Sequence, residues 1–181
     1  MFDTRLDIDI QQPDAASAEA LMPQLVALLQ DAVESGASLG FWRPLDAHHA
    51  QLYWQQVIAE IERGERLLLV ALRDGAVLGS VQLALPQKQN ALRRAEIQKL
   101  MVQRSARRQG IGQALMRAIE QLAQQEKRTT LILDTSQGSD AERLYRAIGY
   151  QLAGIIPHYT IEADGSELAT VMFYKSLNSE Q

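Results

Sequence analysis

The sequence predicts an α/β fold: one mixed, mostly antiparallel, twisted sheet with helices on both faces. Two pairs of apolar segments flank the turn signals Asp74-Gly75 and Asp164-Gly165, which is the pattern of β-hairpins towards each end of the chain. Between the hairpins, a strand, a helix and a second strand follow one another, which is the pattern of a crossover connection. The 181 residues are enough for one domain with its own core, and we expect residues 1–181 to form it.

The N-terminal third predicts a strand and two helices. Apolar residues alternate with aspartates over residues 5–10, which predicts a half-buried strand. Apolar residues at helical spacing predict helices over residues 15–33 and 46–63. We expect Leu52 on the apolar face of the second helix and Gly64 at its end.

A loop of small residues over 35–42 separates these helices and ends in Phe41-Trp42. Such a loop can line a pocket. The alternative is a plain connection between helices, with both aromatic side chains in the core.

The rest of the chain predicts short strands and two further helices. Ser139 and Glu142 have the spacing of a capping box at the start of the last helix, and Gly149 ends that helix. We expect residues 177–181 to be a frayed tail. The expected strands cover residues 67–73, 77–85, 97–102, 129–135, 150–159 and 168–174, and the expected helices cover 110–125 and 141–148.

The segment 96–125 organises the chain, because a strand leads there through a polar loop into a helix. The loop ends in Arg107-Arg108-Gln109-Gly110-Ile111-Gly112. Amides in the first turn of a helix lack intrahelical partners, and the helix dipole adds positive charge, so a phosphate fits there. The glycines let a ligand approach the backbone, and the arginines suit phosphate oxygens. The alternative is a surface loop that carries two arginines by chance.

Two familiar phosphate loops are alternatives for this segment. A P-loop needs Gly-Lys-Ser/Thr, which the chain lacks. A dinucleotide fingerprint needs G-x-G-x-x-G after a strand and an acid further on, and Asp134 ends the next strand. However, Leu115 stands where the third glycine or an alanine should allow close helix–strand packing.

Composition excludes several kinds of protein. The chain has no cysteine, so it has no disulfide, no thiolate zinc site and no cysteine nucleophile. His48 and His49 are adjacent on a helix and point in different directions, so we expect exposed side chains and no metal. We see no signal peptide and no long apolar segment, so we expect a cytoplasmic protein without a membrane partner.

Charge is unevenly distributed along the chain. The net charge is −4, yet residues 93–128 hold nine Lys/Arg against three Asp/Glu. A local basic patch on an acidic protein suits a small polyphosphate, whereas a nucleic-acid binder is usually basic overall. We therefore expect no nucleic acid as a partner.

Several motifs together resemble the GNAT N-acetyltransferases. The pattern Arg/Gln-x-x-Gly-x-Gly/Ala after a strand is the family's signature, and the similarity covers nearly the whole chain. Within the family, it is greatest to the tabtoxin-resistance enzymes. The matching stretches are SGASLGF (35–41), RAEIQKLMV (94–102), SARRQGIG (105–112), LDT (133–135), AERLY (141–145) and IPHY (156–159).

The resemblance implies the GNAT fold, with a splayed central strand pair, and acetyl-CoA as the cosubstrate. The pantetheine arm would bond to the backbone of the first splayed strand like an added strand. The pyrophosphate would lie on the amides of the loop. The implied cofactor-binding residues are Leu100, Met101, Val102, Arg107, Arg108, Gln109, Gly110, Ile111, Gly112 and Gln113.

The resemblance also implies the catalytic groups and the acceptor side. Tyr145 matches the tyrosine that protonates the leaving thiolate, Glu96 is the family-like general base, and Asp134 competes for that role. Asp134 can instead cap the following turn. The implied acceptor-binding residues are Ser35, Ser38, Phe41, Trp42 and Tyr159.

Three functions are thus open. The first is transfer of acetyl from acetyl-CoA to an amine of a small, amino-acid-like or antimetabolite acceptor, by direct attack in a ternary complex, with a role in antibiotic or toxin resistance. The others are a nicotinamide-dependent oxidoreductase that uses the Gly110–Gly112 loop, and a non-catalytic CoA-binding module. We expect a monomer or a homodimer.

Overall fold

The computed structural model describes residues 7–177 and contains five α-helices and seven strands in that range. Short 3₁₀ turns cover Gln89–Ala91 and Arg104–Ala106. The helices are α1 (Ala15–Ala20), α2 (Met22–Glu34), α3 (Ala47–Glu62), α4 (Ile111–Gln125) and α5 (Asp140–Ala147). The strands are β1 (Asp9–Gln11), β2 (Arg66–Arg73), β3 (Ala76–Ala84), β4 (Arg94–Val102), β5 (Thr130–Ser136), β6 (Gln151–Ile161) and β7 (Glu167–Ser176).

The strands form one sheet in the order β1-β2-β3-β4-β5-β7-β6. Every neighbouring pair is antiparallel except β4 and β5, which are parallel and joined by the α4 crossover. Asp74 and Gly75 both have positive φ (51° and 78°), which fits the tight β2–β3 hairpin. The predicted fold class is confirmed.

Two hydrophobic cores lie on opposite faces of this sheet. On one face, α4 packs through Ile111, Leu115 and Ile119 against β2, β3 and β4. On the other face, α2 and α3 pack through Leu25, Leu28 and Trp54. β4 is therefore held from both sides, and residues on each of its faces have fixed neighbours.

The predicted first helix is interrupted at Leu21, so residues 15–33 form α1 and α2. Pro23 lies in the first turn of α2 and has no N–H to continue the ladder from α1, whereas it is well tolerated at a helix start.

Three other expectations need correction. Leu52 on α3 is 48% exposed, because the buried stripe of that helix is Ala50, Trp54 and Val57. Leu177 is buried and its amide donates to the Thr129 carbonyl at 2.8 Å, so it belongs to the core and not to a tail. In the predicted N-terminal strand only residues 9 and 10 pair with β2, and residues 5–6 and 178–181 lie outside the described range.

The β4–β5 pair splays early. The two strands pair over residues 94–96 and 130–132 only, although β4 continues to Val102 and β5 to Ser136. β4 also has a bulge: Ser80 faces Met101 and Gln82 faces Gln98, so β4 has one extra residue there. The sheet therefore opens into a fork, which is the predicted splayed central pair.

Close packing beside the fork depends on Gly79 of β3. A Cβ at this position would lie 2.7 Å from the Met101 carbonyl oxygen and 3.2 Å from Leu115 Cδ1. We therefore expect Gly79→Ala to lower the free energy of unfolding by about 1–3 kcal/mol, because backbone atoms must shift. Urea unfolding measures this change.

Gly154→Ala on β6 is the matched control. No atom lies within 4 Å of a Cβ there, so we expect a change of less than about 0.5 kcal/mol. If the two variants were equally stable, the close approach at Gly79 would not constrain the fold.

Candidate active site

The fork exposes one edge of β4. From Ile97 to Val102, no strand pairs with this edge on the β5 side within the described residues. Leu100 and Val102 pack towards α4, whereas Met101 is buried in the core under α2 and α3. The side chains of these three predicted cofactor residues are thus engaged in packing, and their backbone is what a ligand in the fork can reach.

The loop at the end of β4 presents a run of free amides. Gly110 is the N-cap of α4 with φ of 86°, and no side chain caps the helix. The first amide of the helix with an intrahelical bond is that of Ala114, which donates to the Gly110 carbonyl at 3.0 Å. In the part of the chain that the structure describes, the amides of residues 108–113 have no protein acceptor. These amides and the helix dipole suit an anion.

Side chains in this loop are partly engaged. Arg107 donates to the Val102 carbonyl at 3.0 Å and to Ser35 Oγ at 2.6 Å. Arg108 has φ of 61° and contacts Asp140 at 3.1 Å, with both side chains largely exposed. The arginines can turn towards a ligand, because neither contact is buried.

Two glutamines complete the predicted loop residues. Gln109 accepts from Arg73 at 3.4 Å and donates to the Ser105 carbonyl at 3.3 Å. Gln113 is exposed on the first turn of α4. Of the groups on these two residues, only the backbone N–H groups, which have no protein acceptor, suggest a role in ligand binding.

Asp31 at the end of α2 holds the loop in place, which the sequence did not indicate. Its carboxylate accepts from the Arg104 amide at 2.9 Å and from Arg104 Nε at 2.7 Å. Burial acts to raise the pKa of Asp31, but the hydrogen bonds from Arg104 outweigh it and the net shift is downward. Asp31 therefore stays ionised and fastens the loop to the helical layer.

Gly112 lies between the loop and α5. A Cβ there would contact Leu144 Cδ2 at 3.6 Å and Val102 Cγ2 at 3.8 Å, both ordinary distances. The position thus tolerates a small side chain, and a charged one would lie beside the free amides.

Tyr145 on α5 is 6% exposed and packs against the rings of Tyr150 and Phe173, with centroids 5.9 and 6.2 Å away. The helix is capped by Ser139, which accepts from the Glu142 amide at 3.1 Å. Burial, and then the negative charge of Asp134, raise the pKa of Tyr145, and no hydrogen bond lowers it. The phenol is therefore protonated at neutral pH and available as a proton donor.

Glu96 and Asp134 lie on the same face of the fork. Their neighbours Ala95, Ile97 and Leu133 are buried in the core under α4, so by strand alternation the two carboxylates face the other way. Glu96 is half-buried in the last paired position of β4. Asp134 is exposed and accepts from Thr170 Oγ1 at 2.9 Å.

The predicted acceptor loop, residues 35–42, borders this face. Phe41 is partly buried and meets the Tyr53 ring edge-on at 5.5 Å. Trp42 is 58% exposed and donates from Nε1 to the Ile161 carbonyl at 2.9 Å, so the alternative with Trp42 in the core is wrong.

The other three predicted acceptor residues are more dispersed. Ser35 lies against Arg107 of the loop after β4, and Ser38 is exposed. Tyr159 is 50% exposed on β6, two residues before the carbonyl that Trp42 contacts. The structure therefore brings Trp42 and the Tyr159 segment to one side of the fork and Ser35 to the other.

Lys99 is a site residue that sequence reasoning missed. It occupies the β4 bulge with φ of 52°, and its ammonium donates to the Leu39 carbonyl at 2.7 Å. Burial and the charge of Arg66 lower the pKa of Lys99, against the opposing charges of Asp134 and Glu96. The sequence feature that could have identified Lys99 is a single cation at an otherwise apolar strand end, KLMV.

Residues 7–177 show neither a metal-binding cluster nor a membrane-spanning helix. No group of three or more His, Asp or Glu side chains in that range could hold a metal ion. None of its helices is both long enough and apolar enough to cross a membrane.

Comparisons with solved structures agree with this fold. An N-acetyltransferase from Staphylococcus aureus Mu50 is 16% identical, with 96% of this chain and 100% of that chain covered and a TM-score of 0.79. A ribosomal-protein-alanine N-acetyltransferase from Brucella melitensis is 24% identical, with 93% of this chain and 99% of that chain covered and a TM-score of 0.74. A phosphinothricin acetyltransferase from Sinorhizobium meliloti, in complex with AcCoA, is 18% identical, with 96% of this chain and 90% of that chain covered and a TM-score of 0.75.

The chain also matches a known protein family. Residues 27–150 match the Acetyltransferase (GNAT) family, and this range spans most of the described elements, from α2 to the end of α5. The chain therefore belongs to the GNAT family and is an acyltransferase.

Proposed function

We propose that this protein transfers the acetyl group of acetyl-CoA to an amine of a small acceptor, with residues 1–181 acting as one acetyltransferase domain. The observation that carries the proposal is the fork between β4 and β5, which opens directly beside the free amides of residues 108–113. A long cosubstrate with an amide-bearing arm and a pyrophosphate matches this combination. The acetyl-CoA complex of the Sinorhizobium meliloti protein supports the choice.

The cofactor follows the fork from its backbone edge to the loop. The pantetheine amides pair with the backbone of Leu100, Met101 and Val102, as an added strand would. The pyrophosphate accepts from the amides between Arg107 and Gln113, and the two arginines turn to its oxygens.

The two carboxylates face the acceptor on the side of the fork opposite α4, whereas Tyr145 approaches the fork from the core on the α4 side. Glu96 accepts the proton of the acceptor's ammonium, with Asp134 as the competing base, and the neutral amine then attacks the thioester carbonyl. As the tetrahedral intermediate collapses, the C–S bond breaks and Tyr145 gives its proton to the CoA thiolate. The attacking nitrogen loses its extra proton to solvent, and the Tyr145 phenolate takes a proton back from solvent. The chain has no cysteine, so the amine attacks acetyl-CoA directly in a ternary complex.

The acceptor is a small amine of amino-acid-like or antimetabolite type. Support comes from the resemblance of residues 35–41 and 156–159 to the tabtoxin-resistance enzymes and from the fold shared with a phosphinothricin acetyltransferase. A nicotinamide-dependent oxidoreductase is not favoured, because the family is one of acetyltransferases. Release of CoA thiol on incubation with acetyl-CoA and an amine panel distinguishes an enzyme from a CoA-binding module.

Gly112→Asp tests the phosphate site. The carboxylate would lie beside the free amides and repel the pyrophosphate, so we expect the Kd for acetyl-CoA to rise more than about tenfold. Isothermal titration gives the Kd. Gly112→Ala adds the Cβ without the charge, and its Kd should stay within about threefold of the wild-type value. An affinity of Gly112→Asp close to that of wild type would place the phosphate elsewhere.

Phe41→Ala tests the acceptor loop. Phe41 packs on Tyr53 at the acceptor face, so we expect a higher KM for the amine and an unchanged KM for acetyl-CoA. Steady-state kinetics with each substrate varied in turn measures both constants. Ile61→Ala is the control, since Ile61 packs in the same core away from the loop. Parallel increases in both KM values would indicate a general packing defect.

Tyr145→Phe tests the general acid. It keeps the ring and its contacts with Tyr150 and Phe173 and removes only the hydroxyl. We expect kcat to fall by roughly 10²–10⁴-fold, with the affinity for acetyl-CoA unchanged. A drop of only about tenfold would mean that water substitutes or that product release limits the rate.

The matched control is Tyr150→Phe, because Tyr150 is equally buried and lies next to Tyr145. We expect its kcat to stay at the wild-type value. The pKa of Tyr145 is raised, so the acid stays protonated to high pH and the basic limb of kcat should change only in Tyr145→Phe. Unchanged kcat and pH profile in folded Tyr145→Phe would return Tyr145 to a packing role.

A further inference from the structure

Lys99 carries a half-buried charge that the proposed chemistry leaves without a role. The β4 bulge turns this residue onto the face of the fork that also carries Glu96 and Asp134. Its ammonium donates to the Leu39 carbonyl at 2.7 Å and lies 5.7 Å from the centre of the Tyr53 ring. Among residues 7–177, no carboxylate comes within 4 Å of the ammonium, so it has no ion pair there. Buried cations are normally paired, because desolvation is costly.

The neighbouring cation, Arg66, is in a different situation. Its guanidinium pairs with Glu60 at 2.5 Å and donates to the side-chain oxygens of Gln82 and Gln98 at 2.8 and 2.7 Å. Arg66 is thus paired with a carboxylate, and its Nε and Nη1 donate to side-chain oxygens. Lys99 differs from Arg66 in having no carboxylate partner within the described residues.

The phenol of Tyr53 is not a counter-charge for Lys99. Burial raises its pKa to about 12, so Tyr53 remains neutral and does not compensate the ammonium. Its hydroxyl donates to the Gln82 side chain at 3.0 Å, which fixes the ring beside Lys99. The contacts of the ammonium are therefore an aromatic ring and one backbone carbonyl, so among the described residues two of its three N–H groups have no hydrogen-bond acceptor.

Charge at the fork is arranged as one cation beside two carboxylates. An acceptor with an ammonium and a carboxylate a few bonds apart matches this arrangement: its ammonium faces Glu96 and Asp134, and its carboxylate faces Lys99. We propose that Lys99 binds the carboxylate of the acceptor and selects amino acids over amines that lack an acidic group. This inference rests on the proposed function.

The test compares Lys99→Met with Lys99→Arg on matched pairs of acceptors. The Met side chain is similar in length to that of Lys. Both residues have a Cβ, so the backbone strain at φ of 52° should be similar in the variant and in wild type, and the substitution removes mainly the charge. The acceptors are L-amino acids that are turned over and the corresponding amino-acid amides, which differ only in the carboxylate. CoA thiol release gives kcat/KM for each member of a pair.

For Lys99→Met we expect kcat/KM for the amino acid to fall at least about tenfold, with kcat/KM for the amide within about twofold of wild type. Lys99→Arg should retain part of the preference for the amino acid. If Lys99 served only to hold the loop through Leu39, both acceptors would lose rate equally, and the inference would be overturned. A wild-type enzyme that prefers amides or simple amines would overturn it as well.

Binding of reaction products provides a measurement that needs no turnover. N-acetyl-amino acids retain the carboxylate and have no free amine, and calorimetry in the presence of CoA measures their Kd. Wild type should bind them at least about tenfold more tightly than Lys99→Met. Suppose that wild type releases CoA thiol with amines but that wild type and Lys99→Met bind these products equally. Acetyl transfer would then stand, and Lys99 would not bind the carboxylate. If no amine were acetylated although these products bound through Lys99, acetyl transfer would fail and the anion site would stand.

Discussion

The early end of the β4–β5 pairing is the constraint on which the site depends. Only three residues of each strand pair, so the remaining length of β4 keeps backbone groups that no strand satisfies. Such groups are costly inside a protein but useful at its surface, because an extended ligand can complete the ladder. The centre of the sheet thus leaves backbone groups unpaired where an extended ligand could complete the ladder.

Two packed layers keep the fork in place without those bonds. The α4 core holds one face of β4, and the α2–α3 core holds the other through Met101. Gly79 lets the two strands beside the fork approach more closely than any side chain would allow. The salt bridge between Arg104 and Asp31 then ties the loop after β4 to the helical layer. The opening is therefore held by packing on both faces of β4 and by contacts of the loop that follows it.

The sequence was informative where the signal is local. Periodicity located nearly all of the helices and strands, and residues 107–112 predicted an anion site at the loop where the structure has amides without protein acceptors. Contacts between distant residues had no such signal: Arg107 with Ser35 and Trp42 with Ile161 arise only from the tertiary fold. The bulge at Lys99 was missed for another reason, since one extra residue in a strand leaves the apolar pattern on either side intact.

The hydrogen bond between Arg107 and Ser35 has a thermodynamic consequence. The N–H that Arg107 donates to Ser35 Oγ at 2.6 Å is not available to a phosphate oxygen at the same time. A phosphate that recruited Arg107 would therefore remove this contact with the first residue of the predicted acceptor loop, leaving Ser35 held by its bonds to the Ala32 and Asp31 carbonyls. Binding free energies of the two substrates would then be coupled, and such linkage is reciprocal: whatever acetyl-CoA does to the affinity for the acceptor, the acceptor does equally to the affinity for acetyl-CoA.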